Sequence, residues 1–172
     1  MLDIFRYVAY NTIVSNINTE EQDMEYDCSE ALKLSNQLCF PLYAASRNII
    51  SLYTPLLKPL GLTYTQYIVF LALWEKDGVT VGELCEKLML DNGTLSPLLK
   101  KLQQEGYIEK TRGKEDDRIV IVTLTEEGRA LKEKAKDIPA GVAGCIDLPP
   151  EKAAMLYGLL YELLGSQKNN RK

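Results

Sequence analysis

Two short helical stretches followed at once by two β-rich stretches, all between Thr80 and Leu124, limit what this chain can fold into. Thr80-Val81-Gly82-Glu83 has the form of a capping box, in which the Thr hydroxyl takes the amide three residues on and the Glu carboxylate returns to the cap amide. It opens a helix over about 81–89 that buries Val81, Leu84, Cys85 and Leu88 and leaves Glu83, Glu86 and Lys87 outside. A second helix opens at Asp91-Asn92-Gly93-Thr94 and runs through Gln104, stopped by Gly106. Its Leu95, Leu98, Leu99 and Leu102 keep the i, i+3, i+4, i+7 spacing of one buried face. Tyr107–Thr111 and Ile119–Leu124 then read as strands, the second rich in β-branched residues. The charged segment Arg112–Arg118 joins them as a hairpin. Helix, helix and a hairpin with a charged tip make a winged helix-turn-helix.

The flanks are helical. Organised sequence begins near Leu34, with Asn36 as the expected N-cap and Pro41 in or near the first turn of a helix running to about Leu57. Pro59-Leu60-Gly61 closes it, and Thr63 or Tyr64 starts a largely buried helix through Trp74, ended by Asp77-Gly78. Thr125 caps a helix that begins Glu126-Glu127, where acids face the positive end of the helix dipole. Ile138-Pro139 and the Gly141–Gly144 segment interrupt it. A last helix starts at Pro149-Pro150-Glu151 and carries Leu156, Leu159, Leu160, Leu163 and Leu164 on one stripe. So apolar a terminal helix needs a partner, and a second subunit is the natural one. The expected fold class is α+β, mostly α, with the N- and C-terminal helices forming a dimerisation region. Residues 34–172 read as one unit, with dimerisation helices over about 34–60 and 126–165 and the winged helix-turn-helix over about 62–125. Residues 1–33 read as a weakly ordered extension with acids at Glu20, Glu21, Asp23 and Glu25. Met24 offers a second start, and an N-terminal helix packed on a dimer is the alternative.

Composition narrows the chemistry. A chain of 172 residues, 46% of them hydrophobic, can bury one substantial core. The net charge of −4 excludes a coat of positive charge but not a local basic surface for phosphates. Histidine is absent, which removes Cys-His and Ser-His nucleophile pairs and every His-dependent zinc site. The four cysteines, Cys28, Cys39, Cys85 and Cys145, contain no C-x-x-C pair and do not read as a secreted disulfide framework. No metal or other cofactor is expected. The longest apolar run, Tyr67–Trp74, is less than half of the ~20 residues a bilayer helix needs. The first residues make a poor signal peptide, so no membrane partner and a cytoplasmic location are expected.

Two residue sets carry candidate function. Asn92, Thr94, Ser96 and Lys100 lie off the leucine face of the second helix, where they can reach base edges or phosphates in a major groove. The hairpin adds Arg112, Lys114 and Arg118, with Asp116 two residues before Arg118 to pair with its guanidinium and aim it. The plainer alternative is a capped helix and a solvated turn. The second set centres on Cys39. It lies near an expected helix start, a setting that favours thiolate over thiol, and Tyr43 is one turn away. Cys145 sits in the glycine-rich break Gly141–Leu148, a segment able to move, either as a second reactive thiol or as a free thiol in a loop. Cys85 reads as core and Cys28 as incidental.

From about Leu34 to Leu164 the chain resembles the MarR family, and within it the OhrR organic-hydroperoxide-sensing repressors. Asp116-Asp117-Arg118 followed by Leu124-Thr125 matches the family's wing signature, and Leu90–Leu102 is similar to the OhrR recognition helix. Gln37-Leu38-Cys39-Phe40, Leu42-Tyr43 and Tyr64-x-Gln66-Tyr67 resemble that subfamily's sensor segments. The chain departs from the pattern at Pro41, where a non-proline apolar residue is usual, and at Asn92, where Ser is usual. The resemblance implies a homodimeric repressor that binds double-stranded operator DNA when reduced and releases it when an organic hydroperoxide oxidises Cys39. It implies that the partner subunit's Tyr53 and the partner subunit's Tyr64 donate hydrogen bonds to the Cys39 sulfur. It further implies an intersubunit disulfide from Cys39 to Cys145 as the resolving thiol. The chain is expected not to be an enzyme. A regulator of the same family answering a small phenolic ligand, and a thiol peroxidase, are the alternatives.

Overall fold

Helix formation after Gln37 starts at Cys39 rather than at Asn36. In the computed structural model, which describes residues 32–113, 116 and 118–169, Leu34–Asn36 forms a 3-10 turn instead of a cap. The amides of Asn36 and Gln37 turn back to the carbonyls of Lys33 and Leu34 at 3.0 and 3.2 Å. Helix α1 (Cys39–Leu57) follows. Pro41 therefore falls on the third helical residue, where an amide would have no intrahelical acceptor and its loss costs little. The expectations for residues 1–31, including Met24 and Cys28, and for Lys114 fall outside the described residues. The chain divides into two units, residues 1–51 and 52–172.

The second unit holds the winged helix-turn-helix. Helix α2 (Tyr64–Glu75) opens on a capping box: Gln66 N–H donates to Thr63 Oγ1 at 3.3 Å, and Thr63 N–H donates to Gln66 Oε1 at 2.8 Å. Gln66 is thereby buried at no polar cost. Strand β1 (Val79–Thr80) leads into α3 (Val81–Leu88), whose Thr80–Glu83 capping box is present as expected. The Thr80 amide and hydroxyl, with Lys76, hold the Glu83 carboxyl at about 2. Helix α4 (Asn92–Gln104) follows and buries Leu95, Leu99 and Leu102. Gly106 ends it at φ 79°, a left-handed turn that a side chain would strain.

Strands β2 (Ile108–Arg112) and β3 (Val120–Leu124) pair antiparallel with Ile108 opposite Leu124 and Arg112 opposite Val120. Both start one residue later than expected. The Tyr107 amide closes the α4 terminus on Leu102 O, and the Ile119 amide closes the hairpin turn on Asp116 O. β1 adds to the other side of β3, with Val79 opposite Val122, so the sheet order is β1-β3-β2. A two-residue strand leaves no periodic trace in a sequence.

Beyond the wing come α5 (Glu126–Ala135), α6 (Ile138–Ala143) and α7 (Pro150–Asn169). The expected interruption at Ile138-Pro139 is itself a short helix. Proline is tolerated in the first turn, and Ile138 and Val142 bury one face. Tyr67, Phe70, Leu73, Leu84, Leu99, Leu102, Ile108 and Val122 form the centre of the core. Among the described residues no single helix is long and apolar enough to cross a membrane.

Two anchors join α2 and the wing to α5. Trp74 Nε1 donates to Gly128 O at 3.0 Å. Asp77 accepts from the Leu124 amide at 2.8 Å, Arg129 Nη2 at 2.7 Å and the Gly78 amide at 2.9 Å. Burial raises the Asp77 carboxyl, but these donors outweigh it and leave it below the usual range. Gly128 is there because nothing larger fits: a Cβ would lie 2.2 Å from Tyr107 O and 3.1 Å from Leu124 Cδ2. Gly128→Ala is expected to lose about 1–3 kcal/mol of stability, the usual range for overpacking against backbone. Urea unfolding measures it, and an unchanged midpoint would contradict this close approach.

Candidate DNA-reading face and thiol sensor

Asp91 is the N-cap of α4. Its carboxylate accepts from the Thr94 amide and the Thr94 hydroxyl, both at 2.8 Å, and these two bonds hold it below the usual carboxylate range. Capping thus accounts for Thr94, whose hydroxyl proton is committed, but not for Asn92. Asn92 is the first helical residue and accepts from Ser96 Oγ at 2.6 Å, one turn on. Asn92, Thr94, Ser96 and Lys100 are all exposed, while the leucines beneath them are buried. This face of α4 is therefore exposed along its first turns.

The wing stands across a groove of about 670 Å3 from that face. Asn92, Ser96, Lys110 and Arg118 line it together with Thr80, Cys85 and Leu99. Arg112 is exposed at the end of β2. Asp116 engages Arg118 twice, accepting its backbone amide at 2.9 Å and lying 3.5 Å from its Nε. The pairing expected for these two residues is present, and it leaves the Arg118 side chain 93% exposed. A guanidinium so held and so exposed is suited to a phosphate or a minor groove.

Cys39 is the first residue of α1 and is exposed. Tyr43 and Arg47 follow at i+4 and i+8, a spacing that puts all three on one side of the helix. Arg47 Nη1 donates to the Tyr43 hydroxyl at 3.3 Å, with the guanidinium carbon 5.5 Å from the ring centroid. In the second unit the Tyr53 and Tyr64 rings lie 4.9 Å apart between centroids with their planes tilted by 59°, and Tyr67 lies 5.8 Å from Tyr53. Burial, then the neighbouring Tyr53, raises the Tyr64 phenol, and Tyr67 is raised in the same way. The Tyr64 and Tyr67 phenols therefore keep their protons at neutral pH and remain hydrogen-bond donors.

Cys145 is exposed just after α6, and its Sγ donates to Gly141 O at 3.3 Å. Gly141, expected to loosen this segment, packs inside α6: a Cβ there would sit 3.2 Å from Leu56 Cδ1. Cys85 is half-buried on α3 against the core, as expected.

A family model described as transcriptional regulator SarA/Rot matches residues 51–135. The chain is 48% identical over 140 residues to the organic hydroperoxide resistance transcriptional regulator of Bacillus subtilis, covering 80% of this chain and 95% of that one. It belongs to the MarR family, on the organic hydroperoxide regulator branch. Two solved structures of AbfR, a Staphylococcus epidermidis protein, resemble it closely. One is the structure of reduced AbfR bound to DNA, with TM-score 0.69 and 33% identity over 83% of this chain and 98% of that one. The other is disulfide-formed AbfR, with TM-score 0.56 and 35% identity over 79% and 96%.

Within this MarR-family frame, two residues placed at the candidate sites carry no signal of their own in the sequence. Lys110 reads as an ordinary strand residue until the hairpin brings it into the groove. Arg47 becomes notable only through its contact with Tyr43. Arg118→Ala is expected to weaken binding to duplex DNA and to reduce the slope of log affinity against log salt by about 1, because one released counterion is lost. Unchanged affinity and slope in a folded variant would remove the wing from the interface.

Proposed function

We propose that this chain is a redox-sensing transcriptional repressor whose reduced homodimer binds operator DNA and whose Cys39 is the sensor. One observation carries this reading: a single chain joins an exposed recognition face opposite an exposed wing arginine with an exposed cysteine on the first residue of a helix. The family membership supports it, as do the AbfR structures in a reduced, DNA-bound form and in a disulfide form. The exposed apolar side chains of α7, among them Met155, Leu156, Leu159, Leu160 and Leu164, support a second copy of the chain as the partner.

The chemistry runs in two steps. The Cys39 thiolate attacks the outer oxygen of an organic hydroperoxide, an S–O bond forms, the O–O bond breaks, and an alcohol leaves after protonation. The sulfur of the resulting sulfenic acid is attacked by the Cys145 thiolate of the other subunit, an S–S bond forms, the S–O bond breaks, and hydroxide leaves and is protonated to water. An apolar, aromatic setting favours a lipophilic peroxide over solvated hydrogen peroxide. The partner subunit's Tyr53 and the partner subunit's Tyr64 stabilise the sulfur anion by donating hydrogen bonds without adding charge.

Removing both donors is expected to slow sensing without unfolding the protein. In Tyr53→Phe/Tyr64→Phe the rings keep their packing, and the second-order rate of sulfenate formation with cumene hydroperoxide should fall at least ~10-fold, the scale of one lost hydrogen bond to a charged group. An unchanged rate would separate the phenols from the thiol.

The reading is tested by titrating duplex DNA with reduced protein in three conditions: untreated, with cumene hydroperoxide, and with a phenolic acid. Release by peroxide alone supports it. Release by the phenolic acid alone would make this a ligand-responsive regulator. Absence of DNA binding together with sustained peroxide turnover on added thiol would make it a peroxidase.

A further inference from the structure

The exposed face of α4 carries one side-chain hydrogen bond that capping does not explain. Ser96 Oγ donates to Asn92 Oδ1 at 2.6 Å, while the helix end is capped independently by Asp91. A serine hydroxyl has one proton, and an asparagine amide has one acceptor oxygen with two lone pairs and two donor hydrogens on Nδ2. With the hydroxyl proton committed to Oδ1, the only protons the pair has left are those on Asn92 Nδ2. Both side chains line the groove shared with Lys110 and Arg118.

Asparagine ordinarily reads adenine with both ends of its amide, Oδ1 accepting from N6 and Nδ2 donating to N7. Engaging one lone pair of Oδ1 with Ser96 ties that end to the helix and weakens it as an acceptor for a base, while both Nδ2 hydrogens stay available. Guanine instead presents two acceptors side by side, N7 and O6, to a donor approaching in the major groove.

We propose that Asn92 and Ser96 form one specificity-determining unit, in which Ser96 holds Asn92 as a hydrogen-bond donor that selects guanine over adenine at one operator position. The proposal rests on the DNA-binding reading above and adds which base edge is read. Replacing Ser96 by alanine frees Oδ1 and restores the mixed donor–acceptor face that fits adenine.

Selection from a random duplex pool by the reduced full-length protein tests it, with wild type, Asn92→Ala and Ser96→Ala run in parallel. Wild type is expected to select guanine over adenine about tenfold or more at one position, and at its mate in a symmetric site, the discrimination of a good side-chain contact to a base edge. Asn92→Ala should flatten that position and leave the rest of the motif, which serves as the control for folding. Ser96→Ala should move the preference at the same position toward adenine. A motif unchanged in Asn92→Ala, adenine chosen by wild type at the position Asn92→Ala flattens, or guanine retained by Ser96→Ala would each overturn the proposal while leaving DNA binding intact. Failure of wild type to enrich any sequence would overturn the DNA-binding reading itself.

Discussion

Cys39→Ser is expected to bind operator DNA within about twofold of wild type and to stay bound at cumene hydroperoxide concentrations that release wild type completely. The first half follows from position. Cys39 is exposed at the start of α1 in the first unit, whereas the recognition helix and wing lie in the second. Replacing one exposed sulfur by oxygen is a surface change of the kind that moves stability by no more than about 0.5 kcal/mol. The second half follows from chemistry, since a serine hydroxyl neither ionises at neutral pH nor attacks a peroxide. The contrast is between full release and none, which makes it the largest effect expected of any single substitution here. A Cys39→Ser protein that still lets go of DNA on peroxide treatment would move the sensor to another thiol, and Cys85, which lines the groove between α4 and the wing, would be next in line.

Peroxide treatment of wild type is expected to convert the monomer band on a non-reducing gel to a disulfide-linked dimer, joining Cys39 of one subunit to Cys145 of the other. Cys145→Ser should abolish that band. A disulfide requires Cα atoms within about 7 Å, so closing it constrains where the two segments lie. The Cys145 thiol starts from a bond to Gly141 O at the end of α6, and α6 is packed through Gly141 against Leu56 of α1. Drawing Cys145 into a disulfide therefore pulls on a helix that is seated, and that pull is available to reorient what α6 is attached to. In Cys145→Ser the sulfenic acid still forms but has no resolving thiol, so it is expected to release DNA less stably and to progress to sulfinic acid. No crosslinked dimer in wild type, together with normal release and recovery in Cys145→Ser, would mean that a small thiol caps Cys39 and that Cys145 is a spectator.

Much of this was legible in the sequence, and the parts that were not share a cause. The α4 leucines, the Thr80–Glu83 capping box and the Asp116–Arg118 pair are local features, set by spacings of two to seven residues, and each stands where those spacings put it. Asn36 failed as a cap because the backbone closes a 3-10 turn on Lys33 and Leu34 first, a competition that side-chain preference does not record. Strand β1 exists only because β3 offers it an edge 41 and 43 residues later, at the pairing of Thr80 with Ile121 and Val79 with Val122. Gly128 and Gly141 look like flexible positions in one dimension and are points of close approach in three. Arg47 and Lys110 were passed over for a related reason: a lone basic residue acquires meaning only from its neighbour, Tyr43 in one case and the recognition face in the other.

The central claim is that the redox state of Cys39 sets DNA occupancy. Its most direct test follows both quantities in one sample: the fraction of free Cys39 thiol, by mass spectrometry after alkylation, and the fraction of bound operator, by fluorescence anisotropy, as cumene hydroperoxide is added stepwise. The two should fall together and, after a dithiol reductant is added, rise together. Loss of the thiol with DNA still bound, or release of DNA with the thiol intact, would contradict the account.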